Sequence, residues 1–251
     1  MTKHSVPGEI VIYISAGFAT APDFLDRFGD ALAGCFSEQT GARVRIVIHF
    51  PYGDWSRSRR RQLLEITGDL WNNAHNKPSR YGGKNLTKLI REHWRPGQQL
   101  LLVGHSAGAV ASIQAAKALM EHGVPILGVI QIGSPRCAVP PALKDRILYL
   151  HGANPQDRKL DPIPRLGTWG GWIKGRYGVF QWHGQKHAPS HRQTIPMIGG
   201  HADYFRDHNP YIWQETTNMQ TTIGTIWAWL NQLKELELNG EHKFEKEDEY
   251  D

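Results

Sequence analysis

The chain has 251 residues, 40% of them hydrophobic, which is enough apolar material for the core of one α/β domain. Its formal net charge of +5 is modest, and the sequence has no basic stripe combined with a motif that would contact bases, so no nucleic-acid partner is predicted. Positive charge is concentrated in four arginines within residues 57–61. We predict that they form a solvated helix face; contact with an anionic membrane surface or partner is the alternative.

The first part of the chain alternates strand-like and helix-like segments. An apolar, β-branched run over residues 9–16 predicts a buried strand, and its flanks are too poor in positive charge for a signal peptide. We therefore expect a mature cytoplasmic protein, and no stretch is apolar and long enough to span a membrane. The next predicted elements are a helix over 23–36, a strand over 43–50, a helix over 55–72 with Leu63, Leu64, Leu70 and Trp71 as buried candidates, and a shorter helix from Asn85.

The second part of the chain continues this alternation. The predicted elements are a strand over 99–103, a helix from Ser106 to about His122, strands over 126–132 and 146–150, an irregular stretch over 155–196, a last helix over 216–236 and an acidic, disordered tail over 241–251. Strands that alternate with helices predict a mostly parallel central sheet with helices on both faces. We assign one domain to residues 1–240, with its functional site at the carboxyl ends of the strands.

Residues 100–110 carry the clearest chemical signal. Four apolar residues run into Gly104-His105-Ser106-Ala107-Gly108, and an alanine-rich, helix-like segment follows. This order is typical of a nucleophile elbow, in which the serine sits in a strained turn and the glycines let strand and helix pass closely. With 26 glycines in the chain the pentapeptide alone is weak evidence, and a plain turn serine is the alternative. The strand before it and the helix after it favour the nucleophile.

A serine nucleophile needs a base, and that base needs an acid to orient it. Two acids, Asp157 and Asp161, follow the strand over 146–150, and both qualify. His201 is the best-placed base, shortly before the last helix, which gives the chain order Ser, Asp, His of α/β-hydrolases. Taken singly, Asp161 before a proline is also a turn residue and His201 is also a loop histidine.

Neither the cysteines nor the remaining histidines predict a metal site. Cys35 and Cys137 lie in apolar surroundings, so we predict reduced core thiols. His183, His187 and His191 recur every four residues, but the glycine and the proline among them argue against the helix that would place them on one face. No metal and no other cofactor is predicted.

Four motifs now resemble those of a known family, in that family's order. They are Gly104-His105-Ser106-Ala107-Gly108, Ile132-Gly133-Ser134-Pro135-Arg136, Asp161-Pro162-Ile163-Pro164-Arg165-Leu166, and His201 with Tyr204. With them the chain resembles the α/β-hydrolase superfamily, and more narrowly the class 3 lipases and esterases. The resemblance implies an α/β-hydrolase fold. It aligns the family's acid with Asp161, so we take Ser106, Asp161 and His201 as the catalytic residues and keep Asp157 as second choice.

The oxyanion hole requires two backbone N–H donors, one after the nucleophile and one from a loop at the same sheet edge. Ala107 supplies the first. For the second we choose Phe18, because Ala16-Gly17-Phe18 resembles the oxyanion loop of general α/β-hydrolases. We further predict Gly17, His105, Trp169 and Trp172 as substrate-binding residues.

Residues 167–193 are rich in aromatic residues and glycine and fall between the acid and the base. They predict either an aromatic flap or cap over the acyl or alcohol pocket, or a twisted hairpin whose tryptophans pack on the domain surface. The loop over 51–83 is a second candidate lid.

The function expected from these residues is cleavage of carboxylic esters, in a small-molecule or lipid-like substrate, through an acyl-enzyme on Ser106. An acyltransferase or thioesterase with the same triad, and a non-catalytic binding protein of this fold, are the alternatives. The sequence defines no oligomeric state.

Overall fold

The computed structural model describes residues 9–156 and 161–247. The helices are α1 (Asp26–Thr40), α2 (Arg59–Ala74), α3 (Gly82–His93), α4 (Ala107–Glu121) and α5 (Asn218–Glu247). The strands are β1 (Ile10–Ser15), β2 (Val44–His49), β3 (Gln99–His105), β4 (Ile126–Ile132), β5 (Ile147–Ala153), β6 (Gly171–Lys174), β7 (Phe180–His183), β8 (His191–Pro196), β9 (Ile212–Trp213) and β10 (Thr216–Thr217).

Six strands form one sheet in the order β2-β1-β3-β4-β5-β8, and every neighbouring pair is parallel. The carboxyl ends of all six strands therefore lie at one edge of the sheet. The order of the strands, together with a strand–turn–helix at Ser106, gives the α/β-hydrolase fold in a single domain, as predicted.

The core lies on both faces of this sheet, because successive side chains of a strand point to opposite sides. On β1, Ile12 and Ile14 pack in a cluster with α1 and α5, whereas Val11 and Tyr13 pack in a second cluster with α3 and α4. Strands buried on both faces are continuous apolar runs, which is why they were predictable.

The buried face of α2 differs from the prediction. Leu63, Leu64 and Trp71 are 51%, 74% and 51% exposed, and Leu70 is half-buried. The buried residues of α2 are mainly polar, namely Gln62, Glu65, Ile66, Asp69 and Asn72. The side chains of Gln62, Glu65 and Asp69 are hydrogen-bonded: Gln62 Oε1, for example, accepts from the Ala19 amide at 2.9 Å. Apolar periodicity cannot identify a helix face that is buried through hydrogen bonds.

The arginine run is only partly a solvated face. Arg59, Arg60 and Arg61 are exposed in the first turn of α2. Arg57 instead donates two hydrogen bonds to the carboxylate of Glu65, each at 2.7 Å.

The stretch over 155–196 is not irregular throughout. Strands β6 and β7 form an antiparallel hairpin, and β8 adds a sixth strand to the main sheet beside β5. Strand β8 was not predicted, because Ile195 is its single buried residue and the strand therefore has no apolar run. This is expected for an edge strand that is covered on one side.

Helix α5 extends to Glu247 and so overlaps the predicted disordered tail over 241–251, whose remaining residues 248–251 lie outside the described part of the chain. Within the described residues, no helix combines the length and the apolar character needed to cross a bilayer.

Candidate active site

Ser106 sits between the end of β3 and the start of α4 in a strained backbone conformation, with φ 56° and ψ −128°. Residues other than glycine rarely adopt a positive φ, and such backbone strain concentrates at functional sites. The Ser106 amide donates to the Ile132 carbonyl at 2.9 Å, which fixes the turn against the end of β4. The side chain therefore lies at the carboxyl edge of the sheet, as an elbow requires.

The two glycines that flank the elbow are sterically required. A Cβ on Gly104 would lie 2.2 Å from the Ala109 Cα, and one on Gly108 would lie 2.1 Å from the Ser15 carbonyl oxygen. Both distances are far below van der Waals contact with backbone atoms that cannot move away. Strand β3, helix α4 and the end of β1 can meet at Ser106 only because these positions lack side chains.

Asp161 and His201 are in direct contact. The Nδ1 atom of His201 lies 2.8 Å from Asp161 Oδ2, and the Asp161 side chain is almost fully buried. An ionised carboxylate can only accept, so Nδ1 carries the proton and Nε2 keeps its lone pair. Nε2 is itself buried and has no hydrogen-bond partner among the described residues. An unpartnered buried nitrogen of this kind is a base available for another group.

Two further donors hold the Asp161 carboxylate. The Tyr204 hydroxyl donates to Oδ2 at 2.8 Å and accepts from the Gly152 amide at 2.7 Å. The Ile163 amide donates to Oδ1 at 3.0 Å, so Asp161 is a turn residue as well as the partner of His201. Burial raises the pKa of Asp161, but His201, the Ile163 amide and Tyr204 outweigh it and hold the pKa below its ordinary value.

The Tyr204 hydroxyl remains a donor. Burial and the neighbouring Asp161 charge raise the pKa of Tyr204 well above its ordinary value. Tyr204 is therefore a positioning residue for the acid, a role that the sequence did not assign to it; its place three residues after His201 was the available signal.

His105 and Gly133 bring the elbow and the histidine together. The rings of His105 and His201 stack with centroids 4.7 Å apart, and His105 Nε2 lies 3.0 Å from the His201 carbonyl oxygen. Burial, and then His201, lower the pKa of His105 to about 3, so its ring is neutral and Nε2–H donates. A Cβ on Gly133 would lie 2.9 Å from Asp161 Oδ2 and 3.1 Å from His201 Cε1. Gly133 thus leaves the space in which this pair meets.

The start of α5 fixes the loop that carries His201. The Asn218 side chain binds the Ile198 amide and carbonyl and the Asp203 carbonyl, each at 2.8–3.0 Å. Thr222 Oγ1 donates to the Tyr204 carbonyl at 3.1 Å. Because these contacts flank His201 on both sides, the backbone of the loop that carries it is anchored to α5.

The structure places the remaining predicted residues as follows. Gly17 is buried against the elbow, where a Cβ would lie 2.6 Å from Ser106 Cβ. Phe18 follows it with a side chain that is 37% exposed, and Ala107 is the first residue of α4. Asp157, the second choice for the acid, lies outside the described residues.

Trp169 and Trp172 differ in their exposure to solvent. Trp169 is buried against Tyr149, with ring centroids 4.9 Å apart, whereas Trp172 is 60% exposed on β6. A role of either in binding substrate stays a prediction.

The three spaced histidines lie on β7, in the loop after it and on β8, not on one helix. In the parts of the chain that the structure describes, no three His, Cys, Asp or Glu side chains gather as metal ligands would. Cys35 is half-buried and Cys137 buried, and both are free thiols.

No protein-family model matches the chain. No curated protein matches it either. Among solved structures, YbtT, a type II thioesterase from the yersiniabactin NRPS/PKS biosynthetic pathway, is similar over 80% of this chain and 88% of its own, with 12% identity and a TM-score of 0.40. An uncharacterized protein from Pseudomonas aeruginosa matches 89% of this chain and 46% of its own, with 11% identity and a TM-score of 0.41. The Lip2 lipase from Yarrowia lipolytica matches 57% of this chain and 46% of its own, with 16% identity and a TM-score of 0.28.

Similarities at this level define no activity. The class of the protein follows instead from its own topology: it is an α/β-hydrolase-fold protein with a serine at the elbow and a buried Asp–His pair at the same sheet edge.

Proposed function

We propose that this protein is a serine hydrolase that cleaves carboxylic esters through an acyl-enzyme on Ser106. The observation that carries the proposal is the buried Asp161–His201 hydrogen bond of 2.8 Å, which leaves His201 Nε2 without a hydrogen-bond partner among the described residues, at the sheet edge that also carries the strained Ser106. A base with a free nitrogen and an oriented ring is what a serine hydroxyl needs to become a nucleophile.

In the proposed reaction, His201 Nε2 takes the proton of Ser106 Oγ as the oxygen attacks the ester carbonyl. The resulting tetrahedral intermediate collapses, the carbon–oxygen bond to the alcohol breaks, and the imidazolium returns the proton to the leaving alkoxide. Water, deprotonated by His201, then attacks the acyl-enzyme and releases the acid and free Ser106. Asp161 stays ionised throughout and stabilises the transient imidazolium, which its lowered pKa supports.

The oxyanion hole is assigned to the amides of Ala107 and Phe18. Ala107 opens helix α4, so its amide lacks an acceptor within the helix and lies at the positive end of the helix dipole. Gly17 approaches the Ser106 side chain closely, which supports assigning the second donor to the amide of the next residue, Phe18. Two such donors are the arrangement that stabilises a tetrahedral oxyanion.

A series of nitrophenyl esters of increasing acyl length tests the proposal. We expect turnover with a burst of nitrophenol, and loss of at least about 10³-fold in kcat for Ser106→Ala. Ser112→Ala is the matched control, because Ser112 lies on α4, directly after the elbow, and its hydroxyl only donates to the Gly108 carbonyl; it should retain activity.

The same assay separates the alternatives. Turnover that depends on Ser106 but occurs with thioesters and not with oxygen esters would assign a thioesterase. Folded wild-type protein that turns over neither substrate would contradict a catalytic role. A gain in rate at a lipid emulsion would extend the assignment to a lipase, and its absence would limit it to an esterase.

A further inference from the structure

The hairpin formed by β6 and β7 presents aromatic side chains on one face. Trp172 pairs directly with Trp182, and Lys174 pairs with Phe180. Opposite residues of an antiparallel pair share a side of the sheet, as do residues two apart, so these four side chains project together. Trp172, Phe180 and Trp182 are 60%, 67% and 54% exposed. We call these four residues the aromatic hairpin face.

The tip of the hairpin also exposes apolar side chains. Tyr177 is 91% exposed and Val179 is 61% exposed, while the Arg176 guanidinium lies 5.9 Å from the centre of the Tyr177 ring. Single exposed apolar residues are ordinary, but a contiguous group of large ones marks an interaction surface.

The base of the hairpin is firmly held. Lys186 Nζ donates to the Trp172 carbonyl at 2.6 Å, and the His187 amide donates to the Trp169 carbonyl at 2.8 Å. Arg136 forms backbone hydrogen bonds with Leu166 and Thr168 at 2.7 and 3.0 Å. The hairpin is therefore a defined structural element that is fixed at its base and exposes its apolar side chains.

The charged residues of the segment that contains the hairpin all have one sign. Residues 162–202 contain no Asp or Glu, and their cationic residues are Arg165, Lys174, Arg176, Lys186 and Arg192. The rest of the chain mixes both signs, with 24 acidic residues in total. The complement of this segment is therefore an anionic surface with an apolar layer close beneath its charges.

We propose that the aromatic hairpin face docks this protein on an anionic lipid surface. Tryptophan and tyrosine favour the boundary between headgroups and acyl chains, where an apolar ring and a polar edge are both satisfied. Lysine and arginine beside them gain from negative headgroups, without the repulsion that carboxylates would add. A single-stranded nucleic acid is the other anionic partner that aromatic side chains suit. The edge-to-face contact of Trp172 and Trp182, at an interplanar angle of 77°, gives these two rings no common orientation on which successive bases could stack, and this favours the lipid.

Vesicle co-sedimentation of the full chain tests the proposal. We expect the protein to pellet with phosphatidylcholine vesicles that contain about one-third phosphatidylglycerol, and much less with pure phosphatidylcholine or at high salt. Replacing Lys174 and Arg176 with glutamine should weaken the partition coefficient by about 30-fold, at the usual gain per cation near an anionic surface. Replacing Trp172 and Phe180 with serine should weaken it more than about tenfold through lost apolar burial.

Trp55→Ser is the matched control, because Trp55 is equally exposed, at 63%, but stands beside the carboxylate of Asp54 and away from the hairpin in sequence. It should leave binding unchanged. Quenching of tryptophan fluorescence by vesicles with brominated acyl chains provides a second measurement, since the Trp172→Ser and Trp182→Ser double variant should lose most of the quenching while keeping the wild-type thermal transition.

The docking does not depend on the proposed chemistry, so Ser106→Ala should bind vesicles like the wild type. Wild-type protein that fails to bind anionic vesicles, or that binds a single-stranded oligonucleotide instead, would overturn the proposal. So would equal weakening by the hairpin and Trp55 changes.

Discussion

Asp69 and Asp161 are both buried carboxylates, 0% and 6% exposed, yet they hold very different partners. Asp69 accepts from the Tyr52 hydroxyl at 3.2 Å, from Ser79 Oγ at 2.9 Å and from the amides of residues 80–82 at 2.8–3.3 Å. These hydrogen bonds either stop at Asp69 or fix the start of α3, so their role is structural. Asp161 also accepts from an amide and a hydroxyl, but its third donor is a histidine ring.

That third donor makes the difference between a structural and a functional carboxylate. Asp161 fixes the proton of His201 on Nδ1, so the second ring nitrogen, which is buried and unpartnered among the described residues, keeps its lone pair. Nothing equivalent lies beyond the donors of Asp69. Burial and hydrogen bonding alone therefore do not identify the acid of a catalytic set; an oriented partner with an unsatisfied atom does.

Of the changes to these carboxylates and their partners, removal of the charge of Asp161 should have the largest effect. Asp161→Asn should lower kcat/KM for a nitrophenyl ester by about 10³–10⁴-fold, because the amide no longer fixes the Nδ1–H tautomer of His201. Steady-state kinetics at neutral pH measures this loss. Asp157→Asn is the control and should change kcat/KM by less than about threefold; the reverse pattern would show that Asp161 is not the acid.

Asp69→Asn should affect folding and leave catalysis nearly intact. The amide cannot accept all five hydrogen bonds, and we expect the free energy of unfolding to fall by about 3 kcal/mol. Urea denaturation measures this change, and thermal unfolding should shift by roughly 6–12 °C for a domain of this size. A loss of kcat/KM comparable to that of Asp161→Asn at a temperature where the variant is folded would refute the distinction between the two carboxylates.

Expressed as a free energy, the effect of Tyr204→Phe should be the smallest of the three. It removes one donor from Asp161 and leaves the buried Gly152 amide without its acceptor, at a cost of about 1–2 kcal/mol in stability. We expect kcat to fall by about tenfold with KM unchanged, because Tyr204 positions the acid and does not contact substrate. An effect on KM alone, or none on kcat, would exclude this role.

Much of the fold was predictable because its signals are local. The central strands are apolar runs, and the elbow is a contiguous strand–turn–helix with glycines at fixed positions, so both are visible in short windows of sequence. The proximity of Asp161 and His201, 40 residues apart, was expected from the chain order of the motifs. Their roles remain predictions until the variants are measured.

Other features could not be predicted from the sequence because polar contacts stabilise them. The buried side of α2 is built around Gln62 and Asp69, whose hydrogen bonds connect distant segments, while Leu63 and Leu64 face outward. Strand β8 is largely polar at a sheet edge, and the hairpin exposes the aromatic residues that periodicity would bury. Hydrophobic patterns predict elements that are buried by apolar packing and fail where hydrogen bonds or an external partner decide.

Labelling with a serine-directed fluorophosphonate tests the central claim most directly. If the Asp161–His201 pair activates Ser106, the intact protein gains one adduct at neutral pH, peptide mass spectrometry locates it at Ser106, and His201→Ala slows its formation by at least about 100-fold. No adduct on the folded wild-type protein, or an adduct that persists in Ser106→Ala, would contradict the account.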